Sequence, residues 1–549
     1  MDHIRYLADD ALMGREVGSQ GAWCAAEYIA AHFDDLNLVP IGPGDTYFQP
    51  FPVRAGTLLG SDNHLGSGGA TYSLEEAWIP FGFSASGTFE APLVYGGHGI
   101  SRPGQEDDKY AHIDLEGKIV VVEAGDPASE SGRSLQADPH FKATVAAGRG
   151  ASGIVVLFPE GHPLPEIEME LRPSAKIPAV AVTGRAAMAL RQAAQAGETG
   201  ALTTSVEPRM AEARNVVALL PGTDPSLRDE VLVIGAHFDH LGVGGDGSLS
   251  PDDYGTVHNG ADDNASGTAA VMEIASRLVL SGNQPARSVL FIAFTGEEKG
   301  LWGSGQYAAN PLLPLEKTVA MFNLDMVGRM DGNRLTVFGT GTAEEWSELL
   351  NEVNTGLPEP MELGFNPEGY GASDHSTFYG KQIPVLFFNT STHVDYHRPS
   401  DDWELINEPG LLRVTALVET MAQRVAGLGD ARLAQVTYQQ APENPHAGGM
   451  PVSDDQPRSA GYGAYLGTIP DMSPIDFGVR LTGVREGSPA QQAGIQAGDV
   501  IVELEGKEVS DLYAYTYALR EHRPGDEVEI IVMRDGERVS LTATLGERR

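Results

Sequence analysis

The stretch Val231-Leu-Val-Ile-Gly-Ala-His-Phe-Asp239 joins an apolar run to an imidazole and a carboxylate. A short apolar run that ends in polar residues is typical of a strand buried on both faces of a sheet. The pattern recurs three more times, with residues 289–294 leading to Glu297-Glu298, Thr318–Leu324 to Asp325, and residues 383–388 to the loop that carries His397. Because ligands bind beyond the carboxyl ends of the strands in open α/β sheets, we expect these side chains to converge.

The polar residues at these strand ends form a ligand set for a divalent metal. They are imidazoles and carboxylates without a thiolate, which suits zinc or a similar ion. His237 and His397 are the candidate imidazoles. His393 and His375 compete with the latter on composition alone. Asp239 lies two residues after His237, and a carboxylate that accepts from the second ring nitrogen fixes the orientation of a metal-bound imidazole.

Two pairs of adjacent acids add carboxylates to this set. Asp262-Asp263 lies between glycines just before a helical run at residues 268–279, and a helix cap does not require two acids. Glu297-Glu298 would repel each other on a loop unless a cation held them together. Divided roles resolve this repulsion, because one acid can bind metal while the other handles protons. The sequence therefore predicts a metallohydrolase.

Composition limits the partners of the chain. Its 549 residues carry a formal net charge of −39, and such a field repels nucleic acid and anionic membrane surfaces. No apolar run approaches the length of about 18 residues that predicts a transmembrane segment. Cys24 is the only cysteine, which excludes an internal disulfide and a cysteine-rich metal site. The start, Met1-Asp2-His3, lacks the basic and apolar regions of a secretory signal.

The texture of the sequence predicts several domains. We expect a discontinuous α/β domain, a β-rich insert, a linker and a β-rich C-terminal domain, at residues 1–87 with 206–435, 88–205, 436–460 and 461–549 respectively. Most of residues 1–50 is expected to be amphipathic helix, and residues 512–522 are expected to form the helix of the C-terminal domain. The linker is rich in Pro, Gly, Gln and Asp without periodicity.

The order of the motifs resembles that of the co-catalytic zinc aminopeptidases related to the secreted bacterial leucyl aminopeptidases. The matching motifs are His-x-Asp at 237–239, Gly-Ala-Asp-Asp-Asn-Ala-Ser-Gly at 260–267, Gly-Glu-Glu at 296–298, Asn-Leu-Asp-Met-Val-Gly at 323–328, Ser-Asp-His at 373–375 and Tyr-His at 396–397. The resemblance implies an α/β zinc-exopeptidase fold, with a mixed β-sheet between helices, and two Zn2+ ions. It also implies that Asp325 pairs with His237 at one ion, that Glu298 pairs with His397 at the other, and that Asp262 bridges both.

The resemblance also implies the chemistry. Glu297 would be the general base that positions a zinc-bridging water and delivers its proton to the leaving amine, while Asp239 orients His237. Tyr370 would be the phenol that stabilises the oxyanion. The free α-amine of the substrate docks at the metal centre in this family. The chain is therefore expected to be an aminopeptidase that removes N-terminal residues from peptides, in a secreted or periplasmic location.

Two structural expectations come from the same family. Its members have a cis peptide after the bridging acid, which places one here at Asp262–Asp263. Asp374 and His375 are expected to brace the site without binding metal.

Two accessory segments resemble known modules. Residues 88–205 resemble a protease-associated domain through Asp114-Leu-Glu-Gly-Lys-Ile-Val-Val-Val122 and Ala146-Ala-Gly-Arg-Gly-Ala-Ser-Gly-Ile-Val-Val156. Residues 461–549 resemble a PDZ domain of the bacterial protease type through Tyr465-Leu-Gly467 and Gly487-Ser-Pro-Ala490. A PDZ groove adds an extended peptide to a sheet edge and captures its terminal carboxylate, so the resemblance implies a peptide ligand there.

Other functions fit some of the same residues. A carboxypeptidase or an amidohydrolase, including a single-zinc glutaminyl-cyclase-like enzyme, could use this scaffold. A non-catalytic peptide-binding protein is disfavoured, because every expected ligand and Glu297 are present. The acids at residues 246–253 could bind calcium, but their spacing does not fit an EF-hand loop.

Overall fold

A computed structural model describes most of the chain, namely residues 1–101, 110, 112–127, 135–167, 172, 174–244, 247–250, 255–282, 285–427, 435–441, 464–470, 477–484, 488–509, 514–515, 518–519, 522, 525–534 and 536–547. The chain divides into two compact units. The first contains Met1–Val53 and the described part of Glu212–Ser459. The second contains the described parts of Arg54–Ala211, Ala460–Pro470 and Ile475–Arg549.

The described helices are α1 (Asp2–Leu7), α2 (Gln20–Asp35), α3 (Pro139–Gly148), α4 (Gly184–Ala196), α5 (Gly267–Leu280), α6 (Trp302–Ala309), α7 (Trp346–Gly356), α8 (His375–Tyr379), α9 (Glu408–Ala426) and α10 (Pro489–Ala493). The described strands are β1 (Val39–Pro40), β2 (Phe48–Leu59), β3 (His64–Ser67), β4 (Ala70–Thr71), β5 (Trp78–Pro80), β6 (Gly87–Tyr95), β7 (Ile119–Glu123), β8 (Gly153–Leu157), β9 (Ala179–Val182), β10 (Thr199–Thr204), β11 (Val206–Leu220), β12 (Val231–His237), β13 (Ser288–Phe294), β14 (Thr318–Leu324), β15 (Arg334–Phe338), β16 (Glu362–Asn366), β17 (Val385–Asn389), β18 (Ala464–Tyr465), β19 (Thr468–Pro470), β20 (Val479–Val484), β21 (Val500–Leu504), β22 (Lys507–Glu508), β23 (Glu527–Arg534), β24 (Glu537–Thr544) and β25 (Gly546–Glu547).

The sheet of the first unit places parallel strands side by side. Its strand order is β1-β11-β13-β12-β14-β17-β15-β16, and β2 pairs with β11. β13, β12, β14 and β17 run parallel, while β11 and β15 flank them in the antiparallel sense. The carboxyl ends of four adjacent strands therefore lie along one edge. This confirms the predicted mixed α/β sheet.

Helices cover both faces of this sheet, which explains the continuous apolar run of β12. Side chains along a strand point alternately to opposite faces. Leu232 and Ile234 pack into the cluster that contains the apolar side chains of α2, α5 and α9. Val231 and Val233 pack on the other face, together with Phe378 of α8. A strand buried on both faces needs apolar residues at every position.

The insert of the second unit has its own sheet and two cores. The strand order is β4-β3-β10-β6-β7-β8-β9-β5, and β6 to β9 run parallel. Phe141 of α3 packs with Val120 and Val122 on one face. Leu190 of α4 packs with Val121 on the other face.

The C-terminal residues of the second unit form an antiparallel sheet with the order β19-β20-β21-β23-β24. Its core includes Leu481, Ile501 and Ile530. The helix predicted at residues 512–522 and the linker predicted at residues 436–460 lie largely outside the described residues. Among the helices that the structure describes, none combines the length and apolar character needed to cross a membrane.

One prediction for the N-terminal segment needs correction. Residues 1–50 were expected to be mostly helix, but β1 lies at 39–40 and β2 begins at Phe48. Phe51 and Val53 of β2 alternate inward with exposed Pro50 and Pro52. Prolines are tolerated on an edge strand because they donate no ladder hydrogen bond, and two of them hid the alternating pattern.

Candidate metal centre

The carboxyl edge of the first sheet gathers the predicted imidazoles and acids. His237 is the last residue of β12, and its Nε2 lies 3.4 Å from Oδ1 of Asp325, which follows β14. His397 lies beyond β17, and its Nε2 is 3.3 Å from Oε2 of Glu298, which follows β13. The structure thus brings together both histidine–carboxylate pairs that the family resemblance implied.

Asp263 lies between the two pairs. Its Oδ1 is 3.4 Å from His237 Nε2, and its Oδ2 is 3.1 Å from His397 Nε2. The predicted bridging residue, Asp262, is directed elsewhere, because one of its oxygens accepts a hydrogen bond from the amide of Gly328 at 2.6 Å. The structure therefore corrects the bridging position from Asp262 to Asp263. The cis peptide is likewise one residue later than expected, at Asp263–Asn264.

Glycines let the loop of Asp263 approach its neighbours closely. Gly260 has φ of +55°, and a Cβ there would lie 2.1 Å from the carbonyl oxygen of Asp263. A Cβ at Gly267 would lie 2.2 Å from the carbonyl oxygen of Leu324, at the end of β14. Asn264 donates from Nδ2 to the same carbonyl at 2.9 Å. Only glycine fits at such approaches, so the two glycines fix the loop against the strand that leads to the metal-ligand candidate Asp325.

The residues at this edge fit a metal. Among the described residues, His237 Nε2, Asp325 Oδ1 and His240 Nε2 are buried and have no hydrogen-bond partner. Buried polar atoms are normally paired, and a cation would satisfy these. Two groups place donor atoms within 4.8 Å of one another, namely His237 with Glu297 and Asp325, and His240 with Asp263 and Glu298. Nitrogen and carboxylate donors of this kind suit zinc.

Asp239 holds the loop that carries the two glutamates. It is fully buried, and its two oxygens accept hydrogen bonds from the amides of Glu297 at 3.2 Å and Glu298 at 3.4 Å. Oδ1 also lies 3.6 Å from His237 Nδ1. One carboxylate therefore orients the imidazole on β12 and the acids after β13.

The adjacent glutamates have different electrostatic surroundings. Burial raises the pKa of Glu297 well above its usual range, and Glu298 adds to the rise while His237 opposes it. Burial opposes ionisation of Glu298, but His397 and His240 lower the pKa of that carboxyl to about 2. His240 contacts Glu298 directly, with Nδ1 at 2.7 Å from Oε1. Two neighbouring acids with separated pKa values can take different roles, one ionised and one holding a proton.

Two tyrosines lie in different positions relative to the centre. The ring of Tyr370 packs edge-on against Tyr379 at 4.7 Å. The ring of Tyr396 stacks on that of His397 at 3.8 Å. Burial raises the pKa of the Tyr396 phenol, and the charge of Asp263 raises it further. The Tyr396 hydroxyl therefore stays protonated beside the acids.

The other histidines of the region face away from the two donor groups. His393 Nε2 lies 3.3 Å from Oδ2 of Asp262. His375 stacks on Phe387 at 4.6 Å and is fully buried, and this burial lowers its pKa to about 3. Asp374 is also fully buried, and burial raises its pKa to about 7.

The sequence did not single out three residues that support the centre. Asp401 accepts the amides of both Asp262 and Asp263 at 3.0 Å through one oxygen. Arg15 donates to Gly260 and Phe238, which lie next to site residues in sequence. His240 contacts a candidate ligand. His240 stands next to Asp239 in the sequence, and that adjacency was the available signal. Arg15 carried no local signal.

Three family models match the chain in separate regions. The model of peptidase family M28 matches residues 215–422. The PA domain model matches residues 89–190, and a PDZ domain model matches residues 453–545.

Individual proteins are similar over parts of the chain. Leupeptin-inactivating enzyme 1 of Streptomyces exfoliatus is 33% identical over 172 residues, which are 31% of this chain and 34% of that protein. The chain thus spans about a third of that relative's length. Aminopeptidase YwaD of Bacillus subtilis (strain 168) is 26% identical over 60% of this chain and 65% of its own. Among solved structures, the Bacillus subtilis zinc aminopeptidase BSAP aligns with 80% of this chain and 97% of its own, at 22% identity and a TM-score of 0.49.

Proposed function

We infer from the membership of residues 215–422 in peptidase family M28 that this chain is a zinc-dependent aminopeptidase. The observation that carries the proposal is the position of Asp263, whose two oxygens face His237 and His397 at 3.4 Å and 3.1 Å. A carboxylate shared in this way can join two metal sites. The proposed substrates are peptides with a free N-terminus.

Two groups of side chains would hold two zinc ions. His237 and Asp325 would bind one ion, and His397 and Glu298 the other. Asp263 would contribute one oxygen to each. When bound, zinc supplies the Lewis acidity that polarises a carbonyl and lowers the pKa of water to about 7.

Glu297 would move the proton during peptide hydrolysis. Its Oε2 lies 4.0 Å from His237 Nε2, and its amide is held by Asp239, so the carboxylate stays beside the donors. We propose that it accepts a proton from the attacking water and delivers this proton to the departing amine. The raised pKa of Glu297 favours the intermediate stage in which it holds the proton.

A tyrosine would donate to the oxyanion, and either Tyr370 or Tyr396 could do so. We expect Tyr396→Phe to lower kcat by about 100-fold, since removal of one oxyanion donor costs about 10²–10³-fold. Tyr370→Phe serves as the matched control, and it should change kcat by less than about tenfold because that ring packs against Tyr379. Steady-state kinetics on one aminoacyl-p-nitroanilide measures both. The reverse ranking would assign the oxyanion to Tyr370.

Metal analysis combined with a substrate panel tests the proposed function. We expect about two zinc ions per chain and hydrolysis of aminoacyl-p-nitroanilides, but no hydrolysis of the same compounds after N-acetylation. Cleavage of the blocked substrates would contradict an aminopeptidase. One bound zinc together with cyclisation of N-terminal glutamine would favour the cyclase alternative instead.

Removal of the metal should abolish activity and lower the melting temperature. A ligand that binds only the folded chain stabilises it by mass action, and the buried donors of the centre lose their partner when it leaves. Calorimetry before and after dialysis against a chelator measures the change. Added zinc should restore Tm and activity, whereas magnesium should not, because imidazole ligands favour zinc. Equal recovery with magnesium would contradict the ligand assignment.

The remaining domain assignments are proposals of the same kind. We propose that the PDZ domain captures a peptide C-terminus at the loop Tyr465-Leu-Gly467, where Leu466 is buried and β19 begins one residue later. We retain the predicted bounds of the peptidase domain, 1–87 and 206–435, of the insert, 88–205, and of the C-terminal domain, 461–549. We also propose a secreted or periplasmic location.

A further inference from the structure

Arg15 is a buried arginine that lies behind the metal centre and holds it by backbone carbonyls. Its side chain is 0% exposed. Nε donates to the carbonyl of Phe238 at 2.7 Å, and Nη1 donates to that of Asn259 at 2.7 Å. Nη2 donates to the carbonyl of Gly260 at 3.1 Å, and Nη1 also donates to that of Leu7 at the end of α1. The planar guanidinium therefore joins the segment after His237 to the segment before the acidic pair.

The backbone around Arg15 is held in an unusual conformation. Met13, Gly14 and Arg15 have φ of +48°, +69° and +49°, and the left-handed region is unfavourable for residues other than glycine. A Cβ at Gly14 would lie 2.3 Å from the carbonyl oxygen of Gly242 and 2.6 Å from that of His258. Strained backbone of this kind persists where its surroundings over-determine it, often at functional sites.

Backbone and charge contacts extend this attachment to a third segment. The amide of Gly242 donates to the carbonyl of Gly14 at 3.1 Å. The carboxylate of Glu16 pairs with Lys299 Nζ at 3.1 Å, and both side chains are largely buried. Lys299 directly follows Glu297-Glu298. Residues 14–16 thus contact the loop after β12, the loop before α5 and the loop after β13, which all carry candidate site residues.

The electrostatic surroundings favour a cation at this position. Burial lowers the pKa of Arg15 to about 10, although Asp239, Asp263 and Asp401 act to raise it. The guanidinium therefore remains charged at neutral pH. A buried charge is tolerated when it is paired and hydrogen-bonded, and Arg15 meets both conditions. Its fixed fork of donors suits several acceptors at once, which a lysine ammonium cannot match.

We propose that Arg15 is a positioning residue for the metal centre, which aligns the segments of His237 and Asp263 before a metal binds. This inference rests on the proposed function, because it assumes that those residues are ligands. The guanidinium touches neither donor group in the contacts described above and acts through the backbone that carries them.

The test is a measurement of zinc affinity by competition with a chromophoric chelator. Arg15→Met is expected to weaken zinc binding by about 10–100-fold, the usual range for the loss of an outer partner of a metal site. Arg15→Lys keeps the charge but loses the fork, so it should fall between Arg15→Met and the parent protein. If Arg15→Met does not fold, Arg15→Lys alone decides, with an expected loss of several-fold.

Arg287→Met is the matched control. Arg287 is another buried arginine of the first unit, with Nε donating to Glu230 at 2.6 Å and Nη1 to the carbonyl of Val425 at 2.9 Å. It precedes β13, at the end of that strand opposite Glu297. We expect its substitution to lower Tm while leaving zinc affinity within about twofold of the parent protein, as for sites outside the metal's outer partners.

The outcomes separate this inference from the function on which it rests. Unchanged zinc affinity in folded Arg15→Met or Arg15→Lys would overturn the positioning role while leaving the metal site intact. Equal losses in the Arg15 and Arg287 variants would also overturn it, since they would reflect general destabilisation. Failure of the parent protein to bind zinc would overturn the proposed function and this inference together.

Discussion

Replacing Glu297 with glutamine is expected to lower kcat by about 10²–10⁴-fold, the contribution typical of a general acid–base group. The amide cannot accept the proton from water, but its shape and its neighbours stay the same. The amide nitrogen of residue 297 would still be held by Asp239 at 3.2 Å. Steady-state kinetics and zinc analysis on the same preparation give both quantities. The zinc content should stay at the parent value.

Glu298→Gln is the matched control for this prediction. Glu298 stands next in the chain, but its Oε2 faces His397 at 3.3 Å, so we expect that substitution to weaken zinc binding as well as activity. Glu297 also lies close enough to His237 and Asp325 to be a third donor. Loss of zinc from Glu297→Gln would show that it serves as a ligand, and the base would have to be sought elsewhere.

Asp263→Asn is expected to weaken zinc binding by more than about 100-fold, because loss of a ligand exceeds the 10–100-fold effect of an outer partner. Asparagine offers one neutral acceptor oxygen where Asp263 turns two charged oxygens toward His237 and His397. Both groups of donors would lose charge, and one would lose a ligand atom. Metal analysis after dialysis and chelator competition measure the loss.

Asp262→Asn is the control because it changes the neighbouring acid in the same way. Oδ1 of Asp262 accepts from Gly328 and from Ser266 Oγ, and an asparagine oxygen can accept the same bonds. We therefore expect its zinc affinity to fall by about tenfold or less, as for a weak outer partner. A larger loss from Asp262→Asn than from Asp263→Asn would restore the bridging position expected from the sequence.

The sheet could be predicted from the sequence because its pattern is local. Residues 231–236 form a continuous apolar run, and a parallel strand covered on both faces requires one. β14 was predicted with its observed bounds, Thr318–Leu324, and β12 to within one residue. Adjacent parallel strands end at the same edge, so convergence of His237 and Asp325 followed from topology alone.

The orientation of individual acids could not be predicted in the same way. Asp262 and Asp263 are neighbours in an irregular turn, and no period determines which carboxylate faces the site. That choice depends on Gly328, which holds Asp262, and on Asp401, which holds both amides. Both partners come from other parts of the chain. Arg15 was missed for the same reason, since it lies 244 residues from the carbonyl of Asn259 that it binds.

The discontinuity of the first unit has a consequence for its synthesis. The chain leaves this unit at Val53 and returns at Glu212. At a ribosomal rate of about 5–20 residues per second, the nascent N-terminal segment would wait roughly 10–30 s for β12 and its neighbours. During that time Ile29 and Phe33 of α2, which are 0% exposed in the folded chain, lack the sheet that covers them. We therefore expect the newly made N-terminal segment to be a substrate for chaperones, and the metal centre to be completed only after residue 397 has been translated.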